Sequence, residues 1–192
     1  MNGEELFSKI SAHMIKGIMF HAQMADYYDF LGLRGYKRMH EYHYFEESMM
    51  FRALHRYYIN NHCKLIPELV SENPHSIPEN WLRYSREEVD NNTKRNAIKT
   101  SFSQWVEREN GTLKMYEKAY CELMDIDDIA TALFVKNLIQ KVQKELKYAR
   151  RKQLDIKSID YDMSIIVSKQ TEIHDCYKKK LEHLCFDFEQ QE

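Results

Sequence analysis

The chain contains few glycines and prolines and has no long apolar run. Among 192 residues there are five glycines and three prolines, and all the prolines lie between residues 67 and 78. Residues 1–66 and 79–192 therefore contain no proline, which favours long helices and an all-α fold. No apolar run approaches the roughly 20 residues that a membrane-spanning helix needs, so no membrane partner is expected.

An excess of charge of one sign is also absent. The chain has 28 Lys and Arg against 30 Asp and Glu, a net charge of −2, so no nucleic-acid partner is expected. Five scattered glycines exclude a glycine-rich phosphate loop. The four cysteines are far apart, and the acidic start MNGEELFSKI lacks the features of a secretion signal. These features predict reduced thiols and a cytoplasmic location.

Apolar residues recur every three or four positions and predict four long helices followed by a later one. Gly32 and Gly35 in LGLRG separate the first two helices, which makes them antiparallel neighbours. The long connection at 61–95 is expected to cross the bundle, so that the second and third helices lie parallel. We expect a bundle domain at 1–155 and a C-terminal helix with its tail at 156–192. The predicted helices span about residues 4–30, 34–60, 97–124, 129–153 and 161–184.

Three glutamates interrupt the apolar faces of three different helices. These are Glu47, Glu109 and Glu145, with His43 one turn before Glu47 and His21 on the first helix. Carboxylates that converge in a core repel one another and lose solvation, so they require protons, a basic partner or a cation. Oxygen-rich sites in helical bundles bind iron or manganese. The pattern therefore predicts a metal centre inside the bundle.

A purely structural interpretation uses the same residues. Lys141, one helical turn before Glu145, could turn inward and form a buried ion-pair network without a metal. A shift of one residue in helical phase would turn a glutamate towards solvent. Histidines such as His21 and His43, taken alone, are more typical of cores and interfaces than of metal sites. Both interpretations remain open on the sequence.

The stretch ADYYDFLGLRGYKR, residues 25–38, resembles the end of the first helix, the tight turn and the start of the second helix in non-haem ferritins of the bacterial type. YYIN near residue 60 and DIATALF at 128–134 fit the end of the second helix and the start of the fourth. The resemblance covers about residues 4–150. It implies a ferritin-like antiparallel four-helix bundle with a long crossover, here with an extended C-terminal helix.

The resemblance implies an iron centre of which only a part is present. Glu47 stands where the second helix carries a glutamate, but the histidine expected three residues later is Met50. The glutamate of the first helix is replaced by Met14, and a thioether is a poor ligand for a hard cation. Both methionines replace ligands of the same iron. The resemblance assigns the other iron to Glu47, Glu109 and Glu145, with Glu107 as the alternative to Glu109 and with His43 or Glu46 completing the site.

The same resemblance implies an iron-storage subunit that binds Fe(II) and supports its oxidation at an atypical, weak ferroxidase centre. It implies self-assembly into a hollow shell, with 24 chains if the family's assembly holds, whose interior stores ferric mineral. Two other functions remain open. One is an inert cage subunit whose glutamates are neutralised by Lys141, and the other is an unrelated helical interaction protein.

Overall fold

The computed structural model describes residues 3–66 and 89–189, with side chains at 5–66 and 89–184. Within these ranges the chain forms helices joined by turns, and no strand occurs. The predicted all-α class is confirmed. None of the described helices is long and apolar enough to cross a membrane. The helices are α1 (Gly3–Phe30), α2 (Arg34–His62), α3 (Asn91–Asp125), α4 (Ile129–Ser158), α5 (Met163–Ser168) and α6 (Gln170–Glu189).

Two tight turns pair the long helices. Between α1 and α2, Gly32 adopts a φ of +71°, a left-handed conformation that glycine tolerates best. Between α3 and α4, the side chain of Asp128 caps α4 by accepting a hydrogen bond from the backbone N–H of Thr131 at 3.2 Å. Each turn is only three residues long, so each pair is antiparallel.

The helices α2 and α3 run parallel, as the sequence predicts. In the N-terminal half of each helix, the rings of Tyr36 and Phe102 lie 5.4 Å apart in one apolar cluster. In the C-terminal half of each helix, Leu54 and Leu123 belong to a second apolar cluster. Most of the predicted crossover, residues 67–88 with all three prolines, lies outside the described residues.

Three helix boundaries differ from the expected ones. Helix α3 begins six residues early, because Asp90 caps it by accepting a hydrogen bond from the backbone N–H of Thr93 at 2.7 Å. Helix α4 continues to Ser158, about five residues further than expected. The expected last helix is divided in two at Lys169, whose N–H bonds back to carbonyls of α5 and so closes the short helix. Asp162 caps the start of α5.

The C-terminal helix α6 packs along α2. The side-chain oxygen of Gln170 accepts hydrogen bonds from the backbone N–H groups of Gly35 and Tyr36, at 2.9 and 3.2 Å. These donors lie in the first turn of α2, where a helix offers no carbonyl partner of its own. Further along, the buried ring of Tyr177 lies 5.6 Å from that of Tyr42. In the apolar end LCFDF, the side chains from residue 185 onward lie outside the described residues.

Candidate metal centre

Two apolar clusters fill the bundle towards its ends, and polar side chains lie between them. On α1, for example, the clusters are separated by residues 15–19, and on α3 by residues 107–112. We call the side chains and the glycine that meet at this level the polar layer. It consists of Gly17, His21, His43, Glu46, Glu47, Arg108, Glu109 and Glu145.

The structure brings the predicted acidic residues together. Glu47 and Glu109 are 7% and 1% exposed, and both face the interior of the bundle. Glu46 and Glu145 are half-buried at the same level. Glu107 is exposed, so Glu109 and not its alternative reaches the polar layer. The helical phase inferred from the sequence is therefore right at these positions.

A guanidinium group lies between two of the carboxylates. Nη2 of Arg108 donates to both carboxylate oxygens of Glu47, at 3.0 and 3.3 Å. Nη1 donates to Oε1 of Glu109. The guanidinium also lies over the ring of Phe20, 5.4 Å from its centroid. Arg108 therefore bridges the glutamates of α2 and α3 through charge-assisted hydrogen bonds, which are stronger than neutral ones.

Gly17 on α1 provides the space for this bridge. A Cβ added at this position would lie 1.7 Å from Nη2 of Arg108 and 2.2 Å from Oε2 of Glu47. Such distances are far inside van der Waals contact, so a larger residue here would collide with the ion pair. A glycine within a 28-residue helix is explained at this position by the close approach of the guanidinium.

A row of three buried histidines begins beside the ion pair of Arg108 and Glu47. Nδ1 of His21 lies 2.8 Å from Nδ1 of His40, and Nε2 of His21 lies 3.7 Å from Glu47. The rings of His21 and His43 stack with centroids 5.2 Å apart. Burial lowers the pKa of both His21 and His40, so both are neutral at pH 7. In a neutral pair, one Nδ1 carries the proton and the other accepts it.

His43 also belongs to a group of possible metal ligands with Glu46 and Glu145. One ring nitrogen of His43 and one carboxylate oxygen from each of Glu46 and Glu145 lie within 4.8 Å of one another. Nδ1 of His43 is 3.6 Å from Glu46, and the hydroxyl of Tyr42 donates to Glu46 at 3.4 Å. Burial would raise the pKa of Glu46, but the hydrogen bond and charge of His43 lower it. Nε2 of His43 is buried and has no hydrogen-bond partner among the described residues.

The other carboxyl groups of the polar layer are difficult to ionise. Burial raises the pKa of Glu47 to about 7, although the charge of Arg108 acts in the opposite direction. Burial raises the pKa of Glu109 as well. For Glu145 the cause is burial together with the charges of Glu109 and Glu47, which repel a further negative charge. One guanidinium therefore does not offset the surrounding carboxylates, and a further cation would stabilise their ionised forms.

The two methionines that stand in place of expected metal ligands lie beside the polar layer. Met14 and Met50 border a cavity of ≈ 20 Å³, together with Glu47, Glu109 and Glu145. This volume has room for about one water molecule. The available donors for a cation are carboxylate oxygens and imidazole nitrogens, which suit iron and manganese, whereas the thioethers do not suit a hard ion.

No protein-family model matches the sequence, and no curated protein matches it. Solved structures do match. An engineered closed form of the Archaeoglobus fulgidus ferritin has a TM-score of 0.75 at 16% identity, over 91% of this chain and 96% of that one. The open pore ferritin of the same archaeon has a TM-score of 0.74 at 17% identity, over 88% and 93%. An iron-soaked variant of PmFTN has a TM-score of 0.71 at 10% identity, over 88% and 96%.

The chain has a ferritin-like fold. The expected four-helix bundle architecture is thereby confirmed over nearly the whole chain. At 10–17% identity the likeness concerns the fold alone. Any function therefore has to be argued from the side chains of the polar layer.

Arg108 is the charged member of the polar layer that was not predicted from the sequence. Two signals for it exist in the sequence. It lies three residues after Trp105 and four before Thr112, both buried, so it shares their inward face. A glycine inside the first helix, Gly17, also indicates close approach by another group. Arginine is mostly found at protein surfaces, so an arginine next to a glutamate in the sequence is normally predicted to face solvent. For this reason neither signal led to a prediction that Arg108 is buried.

In the alternative interpretation of the sequence, the basic neighbour of the glutamates was Lys141. Its side chain is exposed, and within the described parts of the chain it forms no ion pair with Glu145. It does act on Glu46, whose pKa its charge helps to lower. Arg108 therefore makes the buried contacts with glutamates that the alternative interpretation assigned to Lys141.

The raised pKa of Glu47 predicts how stability changes with pH. Because the folded pKa is about 7 and the usual value is 4.5, the folded state binds the proton more tightly. This contribution is fully present below pH 4.5 and is lost as the pH rises through 7, a change of about 3 kcal/mol. We expect urea unfolding of the metal-free protein to show this loss, and Glu47→Gln to remove most of it.

The control for this experiment is Glu117→Gln, which removes an exposed glutamate from α3. This variant should keep the pH dependence of the original protein. An equally steep loss of stability in Glu47→Gln would contradict the assignment of the effect to Glu47.

Proposed function

We propose that this chain is the subunit of a hollow, ferritin-type iron store. In this proposal it binds Fe(II) in the polar layer, supports its oxidation there, and holds ferric mineral inside a shell of 24 chains. The observation that carries the proposal is the convergence of His43, Glu46, Glu47, Glu109 and Glu145 inside a ferritin-like bundle. Two of the similar proteins are described as ferritins, and the third was soaked in iron.

The donor atoms of the polar layer fit iron as a substrate. The carboxylate oxygens are hard ligands, and Nε2 of the buried His43 lacks a partner among the described residues. Ligands must be deprotonated to bind a metal ion. Since Glu47 and Glu145 have raised pKa values, Fe(II) uptake should release protons from such groups and should weaken in acid.

Oxidation at this centre is expected to be slow. With Met14 and Met50 among the lining residues and the guanidinium of Arg108 bonded to Glu47 and Glu109, too few hard ligands are free for two irons side by side. Each Fe(II) would then give up one electron to O₂ at a single position or at the growing mineral surface. The cavity beside Glu109 admits little more than one water molecule. The centre is thus suited to binding iron and passing it on.

Addition of Fe(II) to the assembled protein in air tests this function. We expect ferric absorbance to rise faster than in buffer, with the initial rate lowered at least about tenfold in Glu145→Gln, since it loses a charged ligand. Glu117→Gln serves as the matched control, because its side chain is exposed. Equal progress curves for Glu145→Gln and the original protein would contradict the site.

The assembly is tested separately by size-exclusion chromatography and electron microscopy. We expect a closed shell of about 24 chains, since symmetric closed assemblies are the usual result of self-complementary surfaces. A monomer or dimer would contradict storage inside a shell and would favour a helical interaction protein instead.

An inert cage subunit is the second candidate, and the Arg108 bridge favours it. A guanidinium that already neutralises part of the charge of Glu47 and Glu109 lowers the need for a metal ion at these glutamates. In that case the shell would form, and the ferric absorbance would rise no faster than in buffer.

A further inference from the structure

The polar layer contains two groups of possible metal ligands. The first group is His21, Glu47 and Glu109, and the second is His43, Glu46 and Glu145. Within each group, one ligand atom from every member lies within 4.8 Å of the others. The two groups have the same composition, one histidine and two glutamates, but they differ in what already contacts them.

We infer that the guanidinium of Arg108 permanently occupies the first of these two cation positions. Each chain then binds one divalent metal ion, in the second group. This inference rests on the proposed function, because it specifies how many ions the centre takes and where. It reverses the expectation that Glu47 and Glu109 hold the iron.

The first group is already filled. Both carboxylate oxygens of Glu47 and one oxygen of Glu109 accept hydrogen bonds from the guanidinium. A metal ion between these glutamates would have to displace those bonds and lie next to a buried positive charge. Arg108 is protonated, because a guanidinium group is not deprotonated in proteins.

The surroundings of the guanidinium are shaped to hold it. Gly17 removes the Cβ that would otherwise overlap Nη2, and the ring of Phe20 lies beneath the group at 5.4 Å. The side chain of Arg108 is only 15% exposed. An arginine that merely passed through the layer would need neither a glycine opposite it nor an aromatic face under it.

The second group lacks such a cation. Within residues 5–66 and 89–184, no lysine or arginine lies within ion-pair distance of Glu145 or Glu46. His43 is 6% exposed, and its Nε2 has no hydrogen-bond partner there. A buried imidazole with one ring nitrogen close to two carboxylates is a site that a divalent cation completes, with an oxygen and nitrogen donor set.

Titration with Co(II) measures how many divalent ions each chain binds. Air does not oxidise Co(II) in this setting. Isothermal titration calorimetry on the assembled, full-length protein measures the number bound per chain. A baseline variant, His43→Ala with Glu145→Gln, corrects for ions that bind elsewhere on a shell. We expect the original protein to bind one Co(II) per chain more than this baseline.

Arg108→Gln is the decisive variant, because it frees Glu47 and Glu109 from the guanidinium. We expect it to bind two Co(II) per chain above the baseline. Lys141→Gln is its matched control, since it removes an exposed positive charge near Glu46, and it should still bind one.

Diffraction from Co(II)-soaked crystals of the original protein keeps the inference testable even if Arg108→Gln does not fold. We expect one anomalous peak in the second group, with the guanidinium still between Glu47 and Glu109. A peak between these two glutamates, or two peaks per bundle, would overturn the inference and leave the proposed function standing. No binding by either the original protein or Arg108→Gln would overturn the proposed function itself.

Discussion

Substitution of Gly17 by alanine is expected to lower the free energy of unfolding by about 3 kcal/mol or more, the cost of breaking a buried ion pair. The new Cβ would lie 1.7 Å from Nη2 of Arg108 and 2.2 Å from Oε2 of Glu47. Both atoms end flexible side chains, but those side chains are only 15% and 9% exposed. Moving either one therefore leaves a buried charge without its partner. Urea unfolding of the metal-free protein measures the change.

Gly111→Ala is the matched control, because it makes the same substitution inside helix α3. A Cβ at Gly111 would meet nothing within 4 Å, so only helix propensity changes. Alanine is favoured there by up to about 1 kcal/mol, and this variant should be at least as stable as the original protein. A Gly17→Ala variant as stable as Gly111→Ala would contradict the prediction, because it would show that the guanidinium can move to another position at little cost.

Trp105→Ala is expected to lower the free energy of unfolding by about 3–5 kcal/mol, as for other large aromatic residues removed from a core. The indole is 1% exposed and is the largest fully buried side chain among the residues that the structure describes. Its ring lies 5.7, 5.3 and 5.1 Å from those of His21, His40 and His43. The substitution therefore removes the surface that holds all three imidazoles. The measurement is urea unfolding without metal.

The loss of Trp105 should also weaken Co(II) binding, because His43 is no longer held in place. Trp105→Phe keeps an aromatic surface and should lose less stability than the alanine variant. Leu133→Ala is the control for loss of an exposed apolar group, since Leu133 is 54% exposed, and it should change stability by less than about 0.5 kcal/mol. A Trp105→Ala variant with the stability of Leu133→Ala would show that the polar layer does not depend on the indole.

Helical periodicity predicted most of the fold, because burial of one face follows directly from spacing. The predicted boundary at Phe30, the turn at Gly32 and the start at Ile129 agree with the structure. On α1, residues at helical spacing are all buried, namely Leu6, Ile10, Met14, His21, Met24 and Tyr28. Spacing was less informative at helix ends, where a single cap such as Asp90 moved the start of α3 by six residues.

The same periodicity placed Glu47 and Glu109 inside the bundle and left open what neutralises them. Two basic residues were within reach of the site, Lys141 and Arg108. Lys141 lies one turn from Glu145 and is exposed, whereas Arg108 directly precedes Glu109 and turns inward. The spacing of Arg108 is compatible with an inward face, but its neighbours in space determine whether such a long side chain stays buried or extends to solvent.

The order of the elements, the helical class, the parallel run of α2 and α3, and the presence of acidic groups in the core were determined by the sequence alone. These features depend on the local spacing of residues and on the absence of helix breakers, and both can be identified directly in the sequence. The partner of each carboxylate was decided by the tertiary structure. Gly17 and Phe20 come from α1 and Arg108 from α3, and only the packing of these helices creates the space in which a guanidinium lies beside Glu47 of α2. Buried electrostatics depends on distances of a few ångströms between such helices, and no pattern along one of them contains that information.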